Sequence, residues 1–182
     1  MAIFPPSERL WWNLPIHRVE LVWIVVAFLW GIAMFSMMVY WHAMGRQNLS
    51  NETYRTTPAQ FFAKTEAMVG KYKVRDERGM PVVHPPADSD VYLTARVWSW
   101  YPLLELEKGR TYRLHLSSID LQHGFSLQPV NMNIQVHPGY EHVVTLTPNQ
   151  TMEYSIVCNE FCGFGHHTML GKIYVVDERG AP

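Results

Sequence analysis

The sequence has little of several things, and each shortage excludes a class of function. Two cysteines among 182 residues are too few for the paired CxxC motifs that zinc sites usually use. Fifteen Lys and Arg against sixteen Asp and Glu leave a net charge of −1, which indicates neither a nucleic-acid partner nor a strongly steering field. No internal repeat, phosphate-binding loop or nucleophile–base pair is present. The informative residues are therefore the two cysteines and their neighbours.

Both cysteines lie in the run CNEFCGFGHHTM near the C-terminus. Cys158 and Cys162 are four positions apart, His166 follows after four more, and Met169 comes three later. Two thiolates, an imidazole and a thioether form a soft ligand set that favours copper. The alternative is a disulfide between the cysteines, which would gain little from closing so short a loop and would leave the other two residues unexplained.

This run resembles the dinuclear copper (CuA) loop of cytochrome c oxidase subunit II, with the pattern C-x-E-x-C-x3-H-x2-M intact. That family has another histidine in a D-x-x-H-x-F context, which here spans residues 120–125. The resemblance implies a site with two copper ions. Its ligands are expected to be His123, Cys158, the backbone carbonyl of Glu160, Cys162, His166 and Met169.

The resemblance also implies a role for each donor. The two cysteines would bridge the copper ions, His123 and His166 would each cap one, and Met169 and Glu160 would be weak ligands. His167 is a rival to His166, and the C-x3-H spacing of the family favours His166. Family members with two membrane helices use the carboxylate of the corresponding glutamate to bind magnesium at the interface with the catalytic subunit. The resemblance therefore offers the same role for Glu160, but the single membrane helix of this chain disfavours it.

One stretch of the chain has the length and composition of a membrane span. Leu21 to Trp41 is uncharged and long enough to cross about 30 Å of hydrocarbon as a helix. Aromatic residues at both ends suit the membrane interfaces. The alternative is a cleaved signal peptide, whose apolar region would be shorter and nearer the start. We expect an N-terminal cytoplasmic segment over 1–20 and a retained transmembrane helix over 21–41.

The rest of the chain divides into a linker and a β domain. Residues 42–88 have no sustained hydrophobic period and are interpreted as a linker, with a short helix near 59–69. Residues 89–182 contain short alternating runs separated by turn signals, which is typical of a sandwich or barrel. We therefore predict a mainly β fold, a Greek-key sandwich whose strand connections hold the ligands. The resemblance makes it a cupredoxin fold.

Three further residues are candidates for function. Trp98 and Trp100 precede the histidine motif, where the family carries an aromatic run, and the resemblance implies electron entry there. Alternating strand residues would put both rings on one face, as either docking surface or core. Glu20 stands at the cytoplasmic end of the apolar run. The resemblance to B-type subunits II suggests that it takes up protons, and the alternative is a solvated interfacial carboxylate.

Together these observations predict subunit II of a heme-copper terminal oxidase, a single-pass protein of a bacterial or archaeal plasma membrane with its copper domain outside. The resemblance implies electrons from a c-type cytochrome, hemes in a partner subunit I, and oxygen reduction and proton translocation by the complex. Two alternatives stay open. One is the CuA subunit of a nitric oxide reductase, and the other is a membrane-anchored copper chaperone with a mononuclear site.

Overall fold

The computed structural model describes residues 15–44 and 52–177, which belong to two compact units, Met1–Asn48 and Leu49–Pro182. Of the N-terminal segment expected over residues 1–20, only 15–20 fall in these ranges. The flanking Trp11 and Trp12 lie outside the described residues.

In the first unit the described backbone forms helix α1 (Arg18–Met44), which extends three residues beyond each end of the expected 21–41 span. It is long and apolar enough to cross a membrane. Its start is capped locally, because the Glu20 carboxylate accepts the His17 N–H at 3.0 Å. A carboxylate at this end also interacts favourably with the helix dipole. Within the described part of the chain, no side chain of α1 is buried.

The second unit is a two-sheet sandwich with one covering helix among its described residues. In chain order its elements are β1 (Glu52–Arg55), α2 (Pro58–Tyr72), β2 (Lys73–Glu77), β3 (Met80–Val83), β4 (Asp90–Arg96), β5 (Ser99–Tyr101), β6 (Leu103–Glu107), β7 (Tyr112–Ser118), β8 (His123–Gln128), β9 (Met132–Val136), β10 (Tyr140–Leu146), β11 (Glu153–Cys158) and β12 (Leu170–Val176).

The two sheets differ in size and mix parallel with antiparallel pairs. One has five strands in the order β1-β10-β7-β4-β5, and the other has seven in the order β2-β3-β6-β12-β11-β8-β9. The parallel pairs are β4–β7, β3–β6 and β6–β12. Strand β12, the last in chain order, occupies the middle of the larger sheet, between β6 and β11.

Alternating residues of both sheets form the core. On β4, Val91, Leu93 and Ala95 are fully buried, and on β7 Leu114 and Leu116 are buried in the same way. This period of two is what a strand gives when one face meets an apolar interior. Full burial of each such aliphatic side chain stabilises the fold by about 1.5–3 kcal/mol. The sandwich therefore holds its loops on a rigid frame.

The segment 42–88 is not a simple linker, since most of its described part packs into the sandwich. Strand β1 pairs with β10, and β3 pairs with β6. The expectation of a linker with one short helix misses the strands β1, β2 and β3, because these strands are too short to show a clear hydrophobic period. The compact unit begins at Leu49 and not at residue 89.

Helix α2 contains the short helix expected near 59–69 and extends it at both ends. A reciprocal capping box starts it: Thr57 Oγ1 accepts the Gln60 N–H at 3.2 Å, and Gln60 Oε1 accepts the Thr57 N–H at 3.3 Å. Phe61 and Met68 are buried on one face. Thr65 hydrogen-bonds Thr94 of β4 across 2.8 Å, which docks the helix on the five-stranded sheet.

Candidate metal centre

Antiparallel pairing of β8 and β11 brings two distant candidate ligands together. Cys158 ends β11 opposite Phe125 of β8, and His123 begins β8 two residues before Phe125. Residues two apart on a strand face the same side. The His123 Nδ1 therefore lies 3.9 Å from the Cys158 Sγ, although the residues are 35 positions apart in the chain.

The connection from β11 to β12 supplies the remaining donors. It folds back on itself, with the Cys158 N–H donating to the Met169 carbonyl at 3.2 Å and a 3₁₀ turn over His166–Thr168. Gly163 has a φ of +109°, a conformation that side chains rarely adopt. The tight turn brings Cys162, His166 and Met169 back towards Cys158.

Sulfur atoms form the middle of the site. The two Sγ atoms are 3.7 Å apart, and the Cys162 Sγ lies 3.6 Å from the His166 Nδ1 and 3.8 Å from the Met169 Sδ. The Glu160 carbonyl oxygen is 3.3 Å from the Cys158 Sγ. The structure thus brings all six donors expected from the sequence into one cluster.

The cluster is buried, which matters for its chemistry. His123, Cys158, Cys162 and Met169 are at most 4% exposed. Over residues 15–44 and 52–177, His123, Cys158 and Cys162 are the one group of three or more His, Cys, Asp or Glu side chains arranged closely enough to hold a metal ion. The arrangement suits a soft metal held away from water.

Burial and the neighbouring thiol of Cys158 raise the pKa of the Cys162 thiol to about 11. Without a cation both effects disfavour a thiolate. A metal ion between the sulfurs would reverse this preference, so metal binding would release protons. Both cysteines are free, so the alternative of a disulfide is not what the structure contains.

Asp120 orients the His123 ring, a role that the D-x-x-H run does not assign by itself. Its Oδ1 lies 2.8 Å from the His123 Nε2, which leaves Nδ1 directed at the sulfur. Burial raises the pKa of Asp120, but hydrogen bonds from His123 and the backbone N–H groups of Val97 and Leu121 outweigh it and lower the pKa overall. A carboxylate behind a ligating imidazole fixes its ring and tautomer.

The structure separates the two rival histidines of the loop. His166 faces Cys162, whereas His167 is exposed and makes no described contact with the donors. The rings of His166 and the exposed Phe161 lie with centroids 5.9 Å apart. The geometry therefore agrees with the C-x3-H spacing.

Trp98 and Trp100 do not share a face, contrary to the sequence interpretation. Trp98 lies in the turn between β4 and β5, 42% exposed, and its Nε1–H donates to the Cys162 carbonyl at 3.2 Å. Trp100 is buried, edge-on to Phe125 and His123. The alternation argument is wrong here because Trp98 is not on a strand.

Three phenylalanines close to the donors in sequence differ in their exposure. Phe125 is fully buried. Phe161 and Phe164 are 82% and 97% exposed and project from the loop, so they do not cover the donors. Trp98 and Leu121 are exposed as well, and these four apolar residues, all within or next to the segments that carry the donors, are called the apolar rim.

Glu20 lies in the other unit and accepts a backbone hydrogen bond at the start of α1. Its side chain is exposed. The structure thus gives it a local capping role.

Two solved structures have the same fold. A heme-copper terminal oxidase dimer, solved by cryo-EM, contains a chain that matches 87% of this one and is matched over its whole length, with a TM-score of 0.54 and 23% identity. A variant of rusticyanin matches 70% of this chain over its own full length, with a TM-score of 0.52 and 18% identity. The fold is therefore a cupredoxin-like sandwich, as the sequence predicted, and its strand-connecting loops hold a soft-donor centre.

Proteins with similar sequences identify the family more specifically than the solved structures do. Cytochrome c oxidase subunit 2 of Thermus thermophilus is 35% identical over 91 residues, half of this chain and 67% of that one, and a second Thermus thermophilus relative is covered over 54% of its length. A probable cytochrome c oxidase subunit 2 of Streptomyces coelicolor is 39% identical over 75 residues, which are 24% of its length. No protein-family model matches. The chain belongs to the cytochrome c oxidase subunit 2 family, which confirms the resemblance.

Proposed function

We propose that this chain is the electron-entry subunit of a heme-copper terminal oxidase and binds two copper ions as a CuA centre. The convergence of two thiols, two imidazole nitrogens, a thioether and a carbonyl carries the proposal. When bound, copper would supply a one-electron redox couple. The protein would hold the ligands rigidly, so that oxidation and reduction need little rearrangement.

The arrangement of the donors supports two ions over one. The imidazoles approach different sulfurs, His123 near Cys158 and His166 near Cys162. A copper chaperone needs an exchangeable site with fewer donors, and six converging donors, four of them on buried residues, disfavour that alternative. Magnesium at Glu160 would need ligands from a partner, because no acidic cluster surrounds this residue among those described.

The apolar rim supports docking of a c-type cytochrome by apolar contact. Phe164 and Phe161 are almost fully exposed next to the ligands. Exposed aromatics are typical of interface hot spots. Trp98 lies at this surface and bonds the carbonyl of a ligand residue, so we propose it as the entry contact. Trp100 is buried and would take part only from behind that surface.

The remaining parts of the proposal concern the assembly. We propose that α1 anchors the chain in a bacterial or archaeal plasma membrane with the sandwich outside, and that electrons pass to heme in subunit I for reduction of oxygen to water. A nitric oxide reductase would use the same centre. Purification of the complex, identification of its hemes and assay with oxygen and nitric oxide separate the two.

Copper content and spectra test the centre. The full-length chain in detergent, loaded with copper, is expected to bind two ions per chain and give a mixed-valence dinuclear EPR signal. One ion per chain, or an EPR-silent Cu(I) site that exchanges readily, would support the chaperone instead.

Reduction kinetics test the entry surface. Trp98→Phe keeps an aromatic ring but removes the hydrogen bond to Cys162, and Trp98→Ala removes both. Slower reduction by cytochrome c in Trp98→Ala, with the dinuclear spectrum retained, is the expected outcome. Reduction at the wild-type rate in both variants contradicts the entry role.

A further inference from the structure

The edge strand β9 contacts the metal loop through side chains that the proposed function does not use. The Gln135 Nε2 donates to the Glu160 Oε1 at 2.8 Å, and the Asn159 Nδ2 donates to the Asn133 Oδ1 at 3.1 Å. Asn133 and Gln135 are two apart on β9 and so face the same side. Two neighbouring loop residues are thus held by one strand.

Strand β8 lies between β9 and the loop, and a glycine makes the contact possible. Gln135 lies directly opposite Gly124 of β8. A Cβ on Gly124 would come within 2.0 Å of the Asn159 Oδ1 and 2.8 Å of the Glu160 backbone nitrogen. The Asn159 N–H also donates to the Gly124 carbonyl at 3.3 Å. The loop backbone therefore rests on Gly124, and the side chains of β9 reach over it.

The two ends of Glu160 then have separate tasks. Its side chain is held outside by Gln135, while its backbone carbonyl points inward to the Cys158 Sγ at 3.3 Å. Rotation of this peptide unit would turn the carbonyl away from the sulfurs. A hydrogen bond at the side chain and the support of Gly124 together restrict that rotation.

We propose that Gln135 and Asn133 are positioning residues, which together with Gly124 fix the Glu160 carbonyl at the metal centre. The proposal rests on the proposed function, because the carbonyl matters only if copper binds there. It assigns a role to β9, a strand that contributes no ligand. It also makes the spectrum and the potential of the centre depend on a surface glutamine.

The test uses the copper-loaded full-length chain in detergent and an exchange of partners. Gln135→Glu places two carboxylates against each other and is expected to shift the EPR hyperfine pattern and the reduction potential. The double variant Gln135→Glu with Glu160→Gln restores the hydrogen bond at unchanged net charge and should return both towards wild type. Gln128→Glu, on the same hairpin and bonded only to Ser126, is the charge control and should leave the spectrum unchanged.

A measurement on the metal-free chain distinguishes an error in the positioning role of Gln135 from an error in the proposed function. In the metal-free chain, Gln135→Leu should raise hydrogen exchange at the Asn159 and Glu160 amides about fivefold, the order expected for one lost hydrogen bond. Unchanged exchange together with an unchanged spectrum in Gln135→Glu overturns the positioning role. A wild-type chain that binds no copper pair overturns the proposed function, while faster exchange in the variant would still establish the contact.

Discussion

The candidate metal centre and a second cluster, formed by Lys64 of α2 with Asp90, His115 and Glu141, each bury a histidine against an acidic side chain. This second group is called the cluster beneath α2. The two sites differ in what the other ring nitrogen of the histidine contacts. His123 has Asp120 on one nitrogen and a thiol sulfur on the other. His115 has Glu141 at 2.6 Å on its Nδ1 and Asp90 at 3.1 Å on its Nε2. The first ring keeps a nitrogen for an external ligand, and the second has none.

The rest of each cluster follows the same division. Lys64 adds a cation to Glu141 at 2.8 Å, and this hydrogen bond raises the pKa of Lys64. The buried Glu141 of this cluster thus has two side-chain partners, His115 and Lys64. The sulfurs of the metal centre have only one another, the imidazoles and a carbonyl. A histidine whose two ring nitrogens both contact carboxylates indicates a structural role. Sulfur and nitrogen donors that face one another without a charged partner indicate a site for a cation.

The strongest test of this contrast removes a sulfur. Cys158→Ser or Cys162→Ser should reduce copper from two ions to one or none and abolish the mixed-valence signal, because a hydroxyl is a poor bridging ligand for a soft metal. Copper analysis and EPR of the full-length chain measure this. His167→Ala, at an exposed position in the same loop, should keep both. A dinuclear signal retained in either serine variant would rule out bridging.

Removal of each histidine should give opposite results. His123→Ala should disturb the copper spectrum, whereas His115→Ala should leave it intact and lower the free energy of unfolding by about 2–4 kcal/mol, since Glu141 loses one of its buried partners. EPR and denaturant unfolding of the two variants measure the difference. An altered copper signal in His115→Ala, at unchanged stability, would contradict the division of roles.

A third histidine refines the comparison through pH. Burial lowers the pKa of His142 from its usual 6.5, helped by the nearby His137, and the His142 Nδ1 contacts only Thr53 Oγ1 at 3.3 Å. The folded state therefore holds this ring neutral, and the unfolded chain takes up a proton first as pH falls. The contribution of His142 to the free energy of unfolding should be fully present above about pH 6.5. As the pH falls below that value, this contribution should decrease by at most about 1.4 kcal/mol per pH unit.

Thermal unfolding of the metal-free chain between pH 7.5 and 5.5 measures the effect. The slope should be shallower in His142→Gln, which cannot gain that proton. His167→Gln, at an exposed position, should keep the wild-type slope. Equal slopes in all three chains would leave His142 without a part in acid sensitivity.

The smallest structural effect is expected at Glu20, an exposed carboxylate in contrast to the buried Glu141. Glutamine still accepts the His17 N–H, so Glu20→Gln should keep α1 and the copper spectrum unchanged. If Glu20 takes up protons for the oxidase, the same variant should slow steady-state oxygen consumption after normal reduction by the donor. Unchanged oxygen consumption across pH leaves only the helix cap.

Short-range spacing predicts which donors cluster, while contacts between distant strands do not show in the sequence. Cys158, Cys162, His166 and Met169 follow one another at a fixed spacing, and a second motif points to His123. The places of β1 and β3 in the sheets depend on partners farther along the chain, so their segment shows only weak alternation and resembles a linker in sequence. The alternation argument fails for Trp98 because a turn interrupts the strand, and the contact of Gln135 with Glu160 exists only after β8 and β9 have paired.

The central position of β12 has a consequence for the order of synthesis. It is the last strand of the described chain, yet its Ile173 pairs with Leu104, 69 positions earlier. Such distant pairing forms late. Until β12 is inserted, nothing holds Met169 and His166 near the thiols, and a nascent chain would offer copper two mobile cysteines. A copper pair that uses all six donors, as proposed above, would therefore find them assembled only after the sandwich is complete.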